Sequence, residues 1–506
     1  MSLVVPFDEI FSQELSLLTK HPSWQRVELG GVLSILNGFA FKSNFFSKSD
    51  GYPIIRIRDI QRNFTDTFYQ GEFSDSYIVH PGDLIVGMDG NFLCSEWKGA
   101  PALLNQRVCK LTTDPTYLNQ KFLSFGINGY LKAIQEATSS VTVGHLSSKD
   151  ILRIPFPLPP LNEQHRIVDK LEKLLAKVDK CKERLEKIPA ILKRFRQSVL
   201  AAACSGELTR DWRKRRSEIG TSEDLLKSIQ QEKEKTQNKY GIVKKKALEK
   251  TSATITRASV PQDEPEIPQS WLYMPCFDLF SFVTSGSRGW AKYYSQEGAK
   301  FIRIGNLAHD TIDLNLGSVQ HVIPPDGSEG IRTRIQKHDI LVSITADTGM
   351  IGLIQEDIGE AYINQHIALS RPVKGLDTKY LAWFLASKEG QRQFKALQRG
   401  ATKVGLGLDD IKSIWVPLPS IAEQKEIVNR IEALFRIADE VETRYQKAKN
   451  HVNQLTQSIL AKAFRGELVP QDPKDEPASE LLKRIKAERD VVKNAPKGHR
   501  KTRRLG

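Results

Sequence analysis

The sequence predicts an α+β fold class: two mixed α/β domains separated by two long helices, which form an antiparallel coiled coil with a pseudo-twofold internal repeat. Three observations support this prediction. A segment of 53 residues occurs twice, at 157–209 and 417–469, with a constant offset of 260 and 20 identities. Apolar residues recur three and four positions apart in both copies, as on an amphipathic helix. Short apolar runs bounded by Gly, Asp, Asn or Pro fill the stretches before each copy, which is typical of strands.

The repeat divides the chain into seven segments, whose names are kept below. They are an N-terminal arm (1–23), domain 1 (24–156), helical block 1 (157–209), a polar helical extension and linker (210–270), domain 2 (271–416), helical block 2 (417–469), and a C-terminal helix with a basic tail (470–506). Domains 1 and 2 correspond at drifting offsets, as in Trp24 with Trp271 and Asn105 with Asn364. Drifting offsets indicate insertions and deletions in loops around a shared framework.

Inside the two domains the pattern predicts mostly strand with some helix. Strands are expected near 54–60, 83–87, 301–304 and 339–344, and helices over 118–136 and 378–398.

The helix of each block is expected to begin after a Pro-Leu-Pro sequence, because proline cannot join a helix interior. Gly206 and Gly466 stand where a glycine is expected to end each helix. Pro189 should break or kink the helix of block 1, whereas block 2 has Lys449 at the same place. The apolar stripe of each block predicts a helix that needs a partner, and the other block is the nearest candidate.

Size, charge and cysteine content restrict the class of protein. A chain of 506 residues should hold about three to four folded units. Its net charge of +14 suggests a polyanionic partner, and the excess lies in residues 156–260 (+11) and 416–506 (+6). The 5 cysteines form no C-x-x-C pair, so a reducing cytoplasm is expected rather than a disulfide framework. No apolar run is long enough to predict a membrane span.

A search for catalytic motifs predicts no catalytic residue, no metal site and no cofactor in this chain. There is no G-x-x-x-x-G-K-[ST] loop for nucleotide phosphates, and Gly405-Leu406-Gly407 lacks the third glycine of a dinucleotide site. There is also no Asn-Pro-Pro-aromatic or Asp-Pro-Pro-aromatic tetrad, which an amino-methyltransferase needs to hold a flipped base. Two alternatives remain open at this point: a self-contained methyltransferase-nuclease with unrecognised motifs, and a coiled-coil scaffold that does not bind DNA.

Both blocks carry Pro-Leu-Pro, Glu-Gln, Ile-Val and Gly-Glu-Leu in the same order, and each follows a variable domain. This layout closely resembles the specificity subunit of type I restriction-modification systems, and the resemblance covers essentially the whole chain. It implies that the two domains are target recognition domains, each reading one half of a bipartite target in double-stranded DNA. The coiled coil would set the spacer between the halves and dock two methyltransferase subunits.

The resemblance also implies the chemistry of the partners. The methyltransferase subunits would use S-adenosylmethionine to methylate adenine, and restriction (translocase-nuclease) subunits would use ATP and Mg²⁺ to translocate and cut unmethylated DNA. The specificity subunit itself has no activity and needs no cofactor. It would work in bacterial defence in the cytoplasm, without a membrane.

Residues that read bases are expected among Arg, Lys, Asn and Gln, because their paired donors and acceptors match base edges in the major groove. The candidates in domain 1 are Lys42, Asn44, Arg56, Arg58, Asn91, Lys98, Gln106 and Arg107, and those in domain 2 are Arg288, Trp290, Lys292, Arg303, Asn306, Gln365 and Lys403. Pairs shared by both domains, such as Arg56 with Arg303, have the alternative role of holding the scaffold or phosphates. The candidates for coiled-coil contact and subunit docking are Glu163, Gln164, Ile167, Leu171, Leu174, Glu423, Gln424, Ile427, Ile431 and Leu434.

Overall fold

The structure, a computed structural model, describes residue 10 and residues 20–138, 145–216, 222–240, 264–286, 288–324, 328–399 and 405–494. Most of the predicted N-terminal arm and the end of the basic tail (495–506) lie outside these residues. The chain forms two compact units. Unit 1 comprises Met1–Leu185 together with Ala448–Gly506, and unit 2 comprises Glu186–Lys447.

Unit 1 contains domain 1, which is built from three sheets. A two-stranded sheet pairs Gln25–Glu28 with Pro155–Leu158. A four-stranded sheet has the strand order Leu33–Asn37, Val108–Thr113, Leu84–Gly87, Cys94–Glu96. A five-stranded sheet has the strand order Phe46–Ser47, Phe68–Tyr69, Tyr52–Ile55, Ala102–Leu104, Ile78–Val79. Its helices are Ile57–Ile60, Gln120–Thr138 and Ser148–Leu152, with short 3-10 turns at Leu29–Gly31, Ser43–Phe45 and Asp75–Tyr77. Only Tyr52–Ile55 and Ala102–Leu104 pair in parallel among these named strands.

Unit 2 contains domain 2, which repeats this architecture. A two-stranded sheet pairs Leu272–Pro275 with Trp415–Leu418. One four-stranded sheet has the strand order Phe280–Ser285, Ile367–Pro372, Ile340–Ser343, Ile351–Leu353. The other four-stranded sheet has the strand order Tyr294–Ser295, Gln320–Val322, Ala299–Ile302, Ala361–Ile363. Its helices are Cys276–Leu279, Ser328–Thr333, Thr378–Ala386, Lys388–Leu397 and Leu408–Lys412, with 3-10 turns at Trp290–Tyr293 and Ile304–Asn306.

Several predicted elements are confirmed. The expected strands at 83–87 and 339–344 are Leu84–Gly87 and Ile340–Ser343, and every residue of both is buried, as for a strand covered on both faces. The helix expected over 118–136 is Gln120–Thr138.

Three predicted elements need correction. The strand expected at 54–60 ends at Ile55, and Ile57–Ile60 is a helical turn, because the Asp59 carboxylate accepts the backbone N–H of Arg56 at 2.9 Å. The strand expected at 301–304 is Ala299–Ile302, followed by a 3-10 turn. The helix expected over 378–398 is two helices, because Ser387 ends the first and caps the second through the N–H of Gly390 at 3.3 Å.

The helical blocks contain the long helices that the apolar stripe predicts. Block 1 forms Leu161–Glu186 and Ile188–Cys204, and block 2 forms one helix of 44 residues, Ile421–Phe464. The predicted break at Pro189 is confirmed. Proline lacks an N–H and clashes with the carbonyl four residues earlier, yet it fits the first turn of a helix, so one helix ends and the next begins there.

The two glycines that follow the long helices of the blocks adopt the conformation expected at a helix C-terminus. Gly206 has φ +78° and Gly466 has φ +75°, the left-handed region that a Cβ atom disfavours. Both are also closely packed: a Cβ on Gly206 would lie 2.5 Å from Cγ of Pro268, and one on Gly466 would lie 2.6 Å from Cβ of His21. Each glycine therefore allows a helix end to pack closely against the chain segment that precedes a domain.

Each unit has a main hydrophobic core that combines a domain with parts of both blocks. In unit 1, Ile167 and Leu171 of block 1 share a core with Ile459 and Ala463 of block 2. In unit 2, residues from the end of block 1 and the beginning of block 2 share a core; they are Val199, Leu200, Ala203, Ile427, Ile431 and Phe435.

A further helix follows each block. Ser222–Tyr240 follows block 1 and buries Leu225 and Ile229 in the core of unit 2, while Ala478–Asn494 follows block 2. The latter buries Leu481 and Ile485 in the core of unit 1. Block 1 ends in a 3-10 turn, Glu207–Thr209, and the helix Arg210–Lys214 lies between block 1 and its further helix. Within the described residues, no helix is both long and apolar enough to cross a membrane.

Candidate nucleic-acid interface

A buried tryptophan–glutamate contact joins domain 1 to its helical block. Trp24 precedes the strand Gln25–Glu28, which pairs with Pro155–Leu158 just before the helix of block 1. This pairing brings the indole N–H of Trp24 to 3.1 Å from Oε2 of Glu163, and Gln471 donates to the other carboxylate oxygen. Burial raises the pKa of Glu163, although these hydrogen bonds favour the ionised form.

Unit 2 has the equivalent contact with different surroundings. The indole N–H of Trp271 lies 2.9 Å from Oε2 of Glu423, and the Thr209 hydroxyl lies 2.7 Å from the other carboxylate oxygen. Arg213 forms a salt bridge to the same oxygen of Glu423. Both tryptophans and both glutamates are almost fully buried. We refer to these contacts as the unit 1 junction and the unit 2 junction.

The neighbouring glutamines also bind within the chain. The side-chain oxygen of Gln164 accepts the N–H of Asn119 at 2.8 Å, and that of Gln424 accepts the N–H of Asp377 at 3.0 Å. Each of these contacts lies just before a helix of the adjoining domain, Gln120–Thr138 or Thr378–Ala386. The Glu-Gln pair of each block therefore fixes a domain onto its own helix.

All eight base-reading candidates in domain 1 lie at the surface. Lys42 precedes the 3-10 turn Ser43–Phe45, Asn44 lies within that turn, Arg58 lies in the helical turn Ile57–Ile60, and the others lie in loops. All eight are exposed, namely Lys42, Asn44, Arg56, Arg58, Asn91, Lys98, Gln106 and Arg107. Two of the arginines form salt bridges of 2.8 Å, Arg58 with Asp66 and Arg107 with Asp89. The structure therefore leaves all eight accessible to a large ligand.

Two residues beside Arg107 escaped the sequence prediction. One oxygen of Asp89 forms a salt bridge with the Arg107 guanidinium, the other forms a hydrogen bond with the His145 imidazole, and the backbones of Asp89 and His145 also pair. Residue type alone gave no signal, because a carboxylate is a weak candidate for contact with DNA. An alignment of domain 1 with domain 2 at these backbone positions would have found them.

The candidates in domain 2 are less uniform. Arg288 and Lys292 are exposed, and the Lys292 ammonium lies 4.9 Å from the centre of the Tyr293 ring. Gln365 is half-buried with its amide nitrogen 3.1 Å from Nε2 of His366. Lys403 lies outside the described residues.

Two candidates of domain 2 are buried and do not face solvent. Trp290 is 3% exposed and stacks on Phe301, with ring centres 5.5 Å apart and planes at 12°. Asn306 is 3% exposed, accepts the backbone N–H of Arg303 at 2.9 Å and donates to the carbonyl of Asn315 at 2.8 Å. In this structure both side chains shape the domain and present no surface to DNA.

Arg303 lines an open polar cavity of about 380 Å³ in domain 2. The walls are amides, hydroxyls and backbone, contributed by Ile304, Gly305, Asn306, Asn315, Ser318 and Asn364. Arg303 itself is half-buried, so its guanidinium belongs to the wall of this cavity.

The residues predicted for docking pack within the chain. Eight are buried and two are half-buried; the buried ones are Glu163, Gln164, Ile167, Leu171, Glu423, Gln424, Ile427 and Ile431, and the half-buried ones are Leu174 and Leu434. Unit 2 instead exposes three apolar side chains on its long helices, Ile191 (57%), Ile437 (56%) and Val441 (39%). An apolar residue at the edge of the periodic stripe is the sequence signal for such a surface.

Within the described part of the chain, no group of three or more His, Cys, Asp or Glu side chains is placed to hold a metal ion. The four buried cysteines are Cys94, Cys109, Cys204 and Cys276, and burial raises the pKa of each thiol. These thiols are therefore poor nucleophiles.

Comparison with known proteins gives a consistent result. A family model described as "Type I restriction modification DNA specificity domain" matches residues 22–190 and 299–450. The type I restriction enzyme EcoBI specificity subunit of Escherichia coli is 39% identical over 491 residues, which is 95% of this chain and 96% of that protein. The StySPI specificity subunit of Salmonella potsdam is 28% identical and covers 92% of this chain and 96% of its own.

Solved structures share the fold. A chain from a structure described as "Structural basis underlying complex assembly and conformational transition of the type I R-M system" has a TM-score of 0.56 and 16% identity, covering 88% of this chain and 99% of its own. The HsdS subunit of Thermoanaerobacter tengcongensis has a TM-score of 0.50 and 17% identity, with coverages of 88% and 98%. The chain belongs to the family of type I restriction-modification specificity subunits, the non-catalytic subunits that give these systems their DNA sequence specificity.

Proposed function

We propose that domain 1 and domain 2 are target recognition domains that each read one half of a bipartite target in double-stranded DNA. The observation that carries this proposal is the repetition of one architecture with different surfaces. The order of the central four-stranded sheet and the tryptophan–glutamate contact recur in both units. The side chains on the loops differ, as expected of two readers with different half-sites.

We further propose that blocks 1 and 2 form an antiparallel coiled coil that relates the two domains by a pseudo-twofold axis and sets the spacer. Salt bridges within unit 2 support this direction. Arg430 of block 2 binds Asp211 at 2.6 Å, whereas Asp439 and Glu442, further along block 2, bind Arg196, which lies earlier in the chain than Asp211. Residue numbers therefore rise on one side as they fall on the other.

The partners in this proposal are two methyltransferase subunits and restriction subunits. The exposed apolar residues Ile191, Ile437 and Val441 support a docking surface on the helices, because a partner that covers these side chains removes apolar surface from water and so stabilises the complex. The methyltransferase subunits would supply S-adenosylmethionine chemistry at adenine, and the restriction subunits would supply ATP hydrolysis with Mg²⁺. In this assignment the specificity subunit binds no cofactor and works in the cytoplasm, where the chromosome lies.

A domain exchange tests the proposal. Residues 24–156 are replaced by the corresponding domain of another specificity subunit, and methylated adenines are mapped by sequencing in cells that supply the methyltransferase subunits. We expect one half of the methylated sequence to change while the other half and the spacer stay the same.

The matched control exchanges residues 271–416 instead and should change only the other half. A change in both halves from either exchange, or in neither, would rule out one reader per domain. Methylation by the purified chain alone would contradict its non-catalytic role.

A further inference from the structure

Three side chains from separate parts of domain 1 meet at its surface. Asp89 follows the strand Leu84–Gly87, Arg107 precedes Val108–Thr113, and His145 precedes the helix Ser148–Leu152. Nη1 of Arg107 lies 2.8 Å from Oδ2 of Asp89, and His145 binds Oδ1. The Arg107 side chain is 54% exposed, so it is held in place without being covered.

The backbone that carries this group recurs in domain 2. The N–H of Met88 donates to the carbonyl of Arg107 at 3.0 Å, and the N–H of Leu146 donates to the carbonyl of Met88 at 2.8 Å. In domain 2, Ile344 takes the place of Met88, and the matching distances are 2.9 Å to the carbonyl of His366 and 2.9 Å from the N–H of Leu406. The same frame therefore presents the same positions in both domains.

The side chains on this frame differ completely. Thr345, His366 and Gly405 replace Asp89, Arg107 and His145, and the backbone pairing of Thr345 with Gly405 matches that of Asp89 with His145. The Thr345 hydroxyl lies 2.7 Å from Nδ1 of His366, with no carboxylate at this position. A constant frame with exchanged side chains is what two readers of different half-sites require.

We propose that Arg107 reads a guanine in the half-site of domain 1, with Asp89 and His145 as positioning residues. This rests on the proposal that domain 1 reads one half-site. A guanidinium has five N–H donors in one plane, and guanine O6 and N7 accept two of them in the major groove. Among the described residues Arg107 makes no other salt bridge, so its remaining donors are available to a base.

The carboxylate favours a base over a phosphate. Asp89 lies 2.8 Å from the guanidinium, so it repels a phosphate that approaches Arg107 and partly offsets the attraction of the arginine. The net attraction to a phosphate is therefore smaller than that of an arginine without a carboxylate partner. A base edge carries no net charge, so it is repelled less by the carboxylate, and the planar donors of Arg107 keep their geometry.

The test uses the full-length chain assembled with its methyltransferase subunits and a DNA library randomised at each position of both half-sites. Methylated fragments are sequenced to give the preference at every base pair. For Arg107→Ala we expect discrimination at one guanine of the domain 1 half-site to fall about 5- to 150-fold, with all other positions unchanged. Arg107→Lys keeps the charge but loses the planar pair of donors, so it should relax the same position.

Asp89→Asn separates positioning from folding. It should weaken discrimination at that same position by a smaller factor than Arg107→Ala, whereas a merely structural role would lower preferences throughout the half-site. His366→Ala should affect only the other half-site. The matched control is Lys121→Ala, which removes an exposed ion pair of 2.5 Å with Glu172 in the same unit and should leave every preference unchanged.

An even loss of methylation on all sequences after Arg107→Ala would show a phosphate contact and overturn the proposal. An unchanged preference, or relaxation in the other half-site, would also overturn it. Should Arg107→Ala fail to assemble, as judged by thermal unfolding and gel filtration, Arg107→Lys decides by the same criteria. Failure of the underlying assignment would appear separately, as a domain 1 exchange that changes neither half-site.

Discussion

Glu163 and Glu423 hold the same place in units 1 and 2, yet only Glu423 forms a salt bridge in the described structure. Each accepts a buried indole N–H, from Trp24 or Trp271. The remaining oxygen of Glu163 meets the neutral amide of Gln471, whereas that of Glu423 meets Thr209 and Arg213. A duplicated junction has thus kept its carboxylate while changing how the charge is compensated, so the two copies should respond differently to the same substitution.

The largest expected difference comes from removing each carboxylate. Glu423→Ala leaves the largely buried Arg213 without its counter-charge and should destabilise unit 2 by about 3–5 kcal/mol. Glu163→Ala leaves only neutral donors unpaired and should cost unit 1 about 1–3 kcal/mol. Urea unfolding with mapped proteolytic cleavage reports each unit separately. Equal losses of unfolding free energy in the two units would show that Arg213 does not make the junctions different.

A smaller effect is expected at the two glycines that pack beside the junctions. Gly206→Ala and Gly466→Ala should each lower the free energy of unfolding by more than roughly 1–2 kcal/mol, which is the cost of holding an alanine in the left-handed region. The excess arises because the new Cβ would lie 2.5 Å from Pro268 or 2.6 Å from His21.

The matched controls for these glycines are Gly375→Ala in unit 2 and Gly82→Ala in unit 1. Both have positive φ, +96° and +99°, but no atom lies within 4 Å of the added Cβ. They should show the backbone cost alone in the same urea experiment. If the substitution of a junction glycine destabilises its unit no more than the control does, the neighbouring residues move away from the new Cβ without a cost in free energy.

The smallest effect concerns pH. Because burial raises the pKa of Glu163 above its ordinary value of 4.5, the folded chain holds this proton more tightly than the unfolded chain. Its contribution to stability is present below pH 4.5 and is lost as the pH rises through the raised pKa. Glu163→Gln keeps the shape, so it should flatten this decline in unit 1 between pH 4 and 8, measured as the urea midpoint.

The control for the pH prediction is Glu172→Gln, which alters an exposed carboxylate of the same unit and should leave the decline in place. If Glu163→Gln also leaves it unchanged, another group must titrate in unit 1.

Local backbone rules made the helical blocks predictable from sequence. Pro189 cannot continue the helix before it, so a new helix begins at Ile188, and the glycines at 206 and 466 end a helix by their freedom at positive φ. The misassigned elements depend on single side chains that override an apolar pattern. Asp59 turns the end of a predicted strand into a helical turn, and Ser387 divides a predicted helix in two. Both caps span three residues, but an Asp or a Ser in the sequence does not by itself show which backbone N–H it will accept.

The surface was predictable in part. Residue type favoured exposed Arg, Lys, Asn and Gln, and in domain 1 every candidate is exposed. Trp290 is buried because it stacks on Phe301, a contact between a 3-10 turn and the strand Ala299–Ile302 that residue type does not encode. Asp89 and His145 are 56 residues apart, and only the pairing of their backbones brings them together. Whether the exposed candidates contact bases remains a prediction for the library experiment.

The discontinuity of unit 1 has a consequence for synthesis on the ribosome. Unit 2 is one continuous stretch of about 260 residues, but unit 1 also needs Ala448–Gly506, which emerge after unit 2. At about 5–20 residues per second, the apolar face of Ile167 and Leu171 is synthesised roughly 15–58 s before Ile459 and Ala463. Nascent chains are therefore vulnerable to aggregation and proteolysis during this interval. A premature stop codon near residue 448 would leave unit 2 complete but deprive the first-made domain of part of its core.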